Sequence, residues 1–172
     1  MKRLVFLLCL FFTFGIMYGQ KYAVVDMEYV LKNIPAYETA NDQLEQISKK
    51  WQGEVEAVEA EAKTMSRNFE TEMVFLSDEM KKQRAAEIIA KEKEASDLKR
   101  HYFGPGGELD KKREALVRPI QDEIYNALKE LCEEHKCQMI LDRSSSPNIV
   151  YLAPKLDVSD DLLQKLGYLK SK

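Results

Sequence analysis

The chain has 172 residues, with 26 lysines and arginines against 29 aspartates and glutamates, for a formal charge of −3. That mildly acidic balance lacks the basic face that nucleic acid requires, which excludes nucleic-acid binding as a main role. Charged residues make up 32% of the chain, a composition that fits long solvated helices.

At the N-terminus Lys2 and Arg3 precede an apolar block, Leu4 to Ile16, which runs into Met17-Tyr18-Gly19-Gln20. This is the pattern of a secretory signal peptide spanning residues 1–19 and cleaved after Gly19. The block is shorter than the about 20 residues a membrane span needs. Cys9 lacks the preceding small residues of a lipoprotein cleavage site. Loss of Lys2 and Arg3 takes the formal charge from −3 to −5, and the mature chain is expected to be exported and soluble.

Tyr22 to Met27 is a short β-type run, and Glu28 to Ile34 supplies one or two helical turns that Pro35 stops. From Tyr37 the apolar or small positions are Ala40, Leu44, Ile47, Trp51, Val55, Val58, Ala62, Met65, Phe69, Met73 and Leu76. Every step is three or four residues, so one narrow stripe runs down a helix of roughly 60 Å. Such a helix must pair with a second one and project from any globular body. Ser77, followed by Asp78 and Glu79, is a good N-cap, which places a hairpin tip at residues 75–78. The return stripe is weaker: Met80, Ala85, Ile88, Ala95, Leu98 and Tyr102. Gly104-Pro105-Gly106-Gly107 breaks it and reads as a hinge or kink.

Helical spacing resumes through Leu109, Leu116, Ile120, Ile124, Ala127 and Leu131, with a kink expected at Pro119. Gln138 to Asp142 is the second strand candidate, Arg143 to Pro147 a loop, and Asn148 to Leu152 the third strand. Asp157 or Ser159 caps a last helix that carries Leu162, Leu163 and Leu166 on one side. Cys132 and Cys137 would be too far apart to bridge on a continuous helix, so two separate core thiols are expected. A helix that ended near His135 would put a disulfide within reach.

The fold class is therefore mainly α with a small β part. A long antiparallel coiled-coil hairpin (residues 36–118) is expected to project from a β body built from residues 20–35 and 119–172. Nine acids face four bases between Tyr37 and Leu76, whereas Ser77 to Arg118 holds nine acids and eleven bases, which favours pairing of the two arms. Three short strands make too small a core to stand alone, and their open edges invite other copies. Tyr22, Val24, Val25, Met27, Ile140, Ile149 and Tyr151 are the candidate oligomerisation residues.

Near the tip, Met65, Phe69, Met73, Val74, Phe75, Leu76 and Met80 exceed what one seam requires, and methionines suit a surface that accepts many partners. Tyr102 and Phe103 beside the glycine break form a second candidate binding surface. No catalytic set is visible with only His101 and His135 as histidines, and neither a metal nor another cofactor is implied. The glycines at 104, 106 and 107 lack the Lys-Ser/Thr ending of a phosphate loop. A structural or adaptor coiled coil of the cell envelope is the alternative to a protein whose surface accepts many partners.

The ordered set resembles the Skp/OmpH family of periplasmic chaperones over essentially the whole mature chain. It comprises Tyr22-Ala-Val-Val-Asp-Met27, Leu76-Ser-Asp-Glu79 at the tip, and Pro119-Ile120 with Ile124 and Ala127. Met139-Ile-Leu-Asp142, Ile149-Val-Tyr151 and Asp157-Val-Ser-Asp-Asp-Leu-Leu163 complete it. The Phe103 to Leu109 insertion is similar to that of Bacteroidetes-type members. The resemblance implies a homotrimer with a small barrel and three arms around a cavity, holding unfolded outer-membrane proteins in the periplasm without nucleotide. The best-known member is strongly basic and this chain is acidic, so contact with lipid or lipopolysaccharide does not carry over.

Overall fold

The computed structural model describes residues 21–146 and 148–169, so the signal-peptide segment lies outside the described residues. In chain order the elements are β1 (Tyr22–Val25), α1 (Met27–Lys32), α2 (Pro35–Glu72), a 3-10 turn (Met73–Phe75), α3 (Asp78–Phe103) and α4 (Glu108–Glu134). Then follow β2 (Met139–Asp142), a second 3-10 turn (Pro154–Leu156) and α5 (Ser159–Lys165). They fall into two compact units, one of residues 34–123 and one of the residues before and after them.

The first unit is the arm. Pro35 opens α2 at its first turn, where a missing N–H removes no hydrogen bond. Ala40, Leu44, Val55 and Ala62 of α2 and Ile88 and Ala95 of α3 are buried, while the intervening stripe residues are half-buried. Lys91 reaches across to Glu61 at 3.1 Å, and the Tyr102 hydroxyl donates to Glu54 at 2.6 Å. These pairs converge symmetrically on the chain reversal, as the rungs of an antiparallel hairpin must. Ser77 caps α3 by accepting from the Met80 N–H at 3.3 Å.

The glycine break is an ordered turn. The Gly107 N–H donates to the Gly104 carbonyl at 2.8 Å, with Pro105 second and Gly106 third at φ +69°, the requirements of a type II turn. A Cβ on Gly107 would lie 2.8 Å from the carbonyl oxygens of Gly104 and His101, so only glycine fits against the end of α3. Beyond it α4 continues through Pro119.

The second unit is the body. β1 and β2 pair in parallel, Tyr22 with Met139 through Val25 with Asp142. Parallel partners need a long crossover, and here the entire arm is that crossover. Val30 of α1 and Leu162 and Leu163 of α5 are fully buried, with Ala23, Val24, Val25, Ile124, Ala127, Leu131 and Val158 completing the core. A polar bracket ties the strand ends together. The Asp26 N–H donates to Ser159 Oγ at 2.8 Å, the Ser159 hydroxyl to Asp157 at 2.6 Å, and Arg143 to the Asp26 carboxylate at 2.6 Å. Asp142 accepts from the Met27 N–H and from the Ser144 N–H and hydroxyl.

Three expectations are corrected here. Residues 148–153 form no strand; the outer side of β1 is occupied instead by the bridge of Val24 to Asp157 and the Val158 N–H bonded to the Val24 carbonyl. Val158, rather than Asp157 or Ser159, occupies the N-cap of α5, although the Asp157 carboxylate still accepts from the Ser159 N–H at 3.0 Å. Cys132 and Cys137 are not separate thiols but a disulfide. The reason is local. α4 ends at Glu134, Lys136 turns left-handed at φ +53°, and the N–H groups of Lys136 and Cys137 fold back onto the carbonyls of Glu133 and Cys132. This is a Schellman cap, which brings the side chains of the third-last helical residue and the second residue past the cap together.

The Asp26 carboxyl is held below its ordinary range first by the Arg143 hydrogen bond and then by the Tyr29 N–H. A depressed carboxylate contributes stability above its unfolded value, which is lost as pH falls through the folded one. Urea midpoints of the wild type should therefore drop on acidification below about pH 4. Asp26→Asn should be less stable at pH 7 and should show a shallower acid loss, with equal slopes counting against the bracket.

Candidate functional site

At the tip the α2 stripe runs out of partners. After Glu72 the chain tightens into the 3-10 turn, Leu76 is extended at φ −91° and ψ 143°, and α3 starts back at Asp78. A reversal this short leaves no second layer to cover the turn. Val74 is 76% exposed and Phe75 88%, and Met73 and Met80 beside them are each exposed by more than two-fifths. Exposed apolar groups of this size gathered at one point are unusual for a surface that touches only water. Arg67, Lys81, Lys82 and Arg84 balance Glu70, Glu72, Asp78 and Glu79 around the tip, so its local charge is zero in an otherwise acidic chain.

Not all the expected tip residues are presented. Met65 and Phe69 are half-buried and line a shallow cleft with Asn68, Glu72, Arg84 and Ile88, which makes them seam. Leu76 is also half-buried. The surface thus consists of Met73, Val74, Phe75 and Met80.

Tyr102 is engaged elsewhere. Its ring stacks on Trp51 with centroids 4.7 Å apart and planes 4° from parallel, and Phe103 packs edge-on against it at 6.3 Å. The Glu54 carboxylate accepting the Tyr102 hydrogen holds that hydroxyl above its ordinary pKa. This aromatic clamp fixes the two helices together two residues before the Gly104–Gly107 turn. Phe103 remains partly exposed.

In the body, Val24 and Val25 are buried within the chain itself, Met27, Ile140 and Ile149 are half-buried, and Tyr22 and Tyr151 are exposed. Sequence patterning overlooked Met139, Leu141, Tyr125 and Val150, all of them exposed. Met139 and Leu141 alternate along β2, a period of two that a four-residue strand is too short to announce. Val150 at 96% and Tyr151 at 83% exposure sit in the segment that reads as β but pairs with nothing described.

The Outer membrane protein (OmpH-like) family matches residues 21–166, from the residue before β1 to the residue after α5. The chain belongs to the OmpH-like family. Among solved structures it is similar to one described as a candidate outer membrane chaperone (OmpH-like) from Caulobacter crescentus CB15. The TM-score is 0.65 over 89% of this chain and 88% of that one, at 13% identity, a likeness of fold. No curated protein matches the chain. The OmpH-like fold accordingly comprises the long helical hairpin and small strand part described above.

Tyr102→Ala removes a stacked ring and a hydrogen bond to a carboxylate, and should lower the urea midpoint of the arm. Val74→Ser and Phe75→Ser, already in water, should stay within about 0.5 kcal/mol of wild type. Urea unfolding followed by circular dichroism separates the two classes; equal losses would mean the tip is packed.

Proposed function

We propose that the protein is a periplasmic holdase, exported by residues 1–19, that binds unfolded outer-membrane proteins between the arms of a homotrimer without nucleotide. Membership of the OmpH-like family and the description of the Caulobacter structure as an outer membrane chaperone support the chaperone reading. The observation that carries it is the exposed Met73-Val74-Phe75 tip with Met80. Flexible thioethers and an unburied ring offer weak contacts that many sequences can satisfy. Several arms acting together convert such contacts into retention through effective concentration.

Self-association is supported by the body. A two-stranded sheet is marginal by itself, and Tyr22, Met139 and Leu141 leave apolar area in water. The exposed Val150 and Tyr151 add β-type sequence that has no partner strand among the described residues. Joining copies through these edges would complete the sheet and cover that area. Tyr22, Ile140, Ile149 and Tyr151 are the proposed contacts from the sequence, with Met139, Leu141 and Val150 added; Val24, Val25 and Met27 shape the sheet beneath. The ordered Gly104–Gly107 turn would let each arm bend at a fixed place.

Mature protein should suppress light scattering by a urea-diluted β-barrel protein at near one trimer per client. The pair Val74→Ser and Phe75→Ser should weaken suppression several-fold while leaving the folded state intact. Absence of suppression at several-fold excess would overturn the holdase reading, and monomers in light scattering would overturn the cavity.

A further inference from the structure

We propose that Cys132 and Cys137 form a thiol–disulfide exchange site, whose oxidation by a dithiol–disulfide partner protein seats β2 in the body. The proposal rests on the exported location in the preceding reading for its oxidising surroundings, and on the geometry of the α4 terminus for everything else.

The disulfide spans a Schellman cap whose left-handed position normally calls for glycine. Lys136 stands there at φ +53°, a conformation disfavoured for a residue with a Cβ. The sequence therefore lacks the residue that would make this cap form spontaneously, and the covalent link between its two ends takes that place. Both cysteines are partly exposed, and Glu133 to Lys136 between them are all exposed, so a partner's thiol can approach.

What the cap positions lies on either side of it. One residue after Cys137, the Gln138 N–H donates to the Lys21 carbonyl at 2.9 Å, and Met139 then pairs with Tyr22. On the helical side, Lys165 of α5 bridges Glu130 and Glu134 at 2.9 and 2.8 Å, and His135 lies 3.6 Å from Asp161. Opening the cap therefore loosens the entry to β2 and the hold of α5 on the end of α4 together.

In the forming direction, a Cys132 or Cys137 thiolate attacks the partner's disulfide and gives a mixed disulfide, releasing one partner thiolate. The second cysteine thiolate then displaces the partner's other sulfur. The chain's dithiol loses two electrons and two protons, and the partner's disulfide becomes a dithiol. A reducing dithiol drives the same steps backwards.

The test uses the purified mature chain, with dithiothreitol as the dithiol probe and oxidised glutathione as the disulfide probe. Iodoacetamide should label neither cysteine before reduction and both after it. Hydrogen exchange at residues 139–142 should then accelerate by about tenfold or more, while amides around Val55 and Ile88 in the arm stay within about twofold. Oxidised glutathione should restore protection. The double variant Cys132→Ser/Cys137→Ser should behave as the reduced protein, and adding Lys136→Gly should recover most of the protection, because glycine takes the left-handed position without a cross-link.

Four outcomes would overturn the proposal. They are labelling of both thiols in exported protein never reduced, resistance of the folded protein to the dithiol, unchanged exchange in β2 after reduction, and equal loosening of arm and body. The exchange readout does not involve a client, so failure of aggregation suppression would leave it standing.

Discussion

Four residue pairs, from Tyr22 with Met139 to Val25 with Asp142, close a crossover of more than a hundred residues. Two four-residue strands could not bear that closure if the intervening chain were a coil, since loop entropy grows with length. The crossover is instead two long helices zipped along a single seam and a third that leads back to β2. Pairing of two of those helices shortens the effective loop that the strands must close. The parallel register in turn makes the body: it places Asp26, Asp142 and Arg143 at one end of the sheet, where they bind the start of α1 and of α5.

The same division explains why apolar residues fare so differently along the arm. In the shaft, a partner helix lies opposite every third or fourth residue, and Val55, Ala62, Ile88 and Ala95 are covered. At the reversal the helices part into a 3-10 turn, and no further element among the described residues lies over it. Met73, Val74 and Phe75 stay in water because geometry leaves them there. At the other end of α3, Trp51, Tyr102 and Glu54 do the opposite work, clamping the helices just before an ordered turn at which α3 gives way to α4.

Where sequence patterning and the structure part, tertiary or local backbone geometry is the cause. Cys132 and Cys137 look unbridgeable if α4 is drawn straight through both, because helical spacing sends their side chains in different directions. A left-handed Lys136 is not a residue type that announces a helix end, so the cap that joins the cysteines was hidden. Asn148 to Leu152 has β composition, yet the outer side of β1 is taken by Asp157 and Val158, which leaves that segment outside the sheet. Tyr102 reads as a surface aromatic until its stacking partner, about fifty residues earlier, comes round on the antiparallel helix.

By itself the sequence determined the hairpin: a three-and-four spacing from Tyr37 to Leu76, a capping serine at 77 and the Gly-Pro-Gly-Gly break are local signals, each acting within a turn or two of chain. It also determined that the tip is rich in methionine and aromatic side chains. Contacts between distant segments settled which of those are open to water, which aromatics pair across the arm, and that the sheet has two strands among the described residues. Those outcomes depend on residues far apart in sequence competing for the same neighbour, and a competition of that kind leaves no periodic trace.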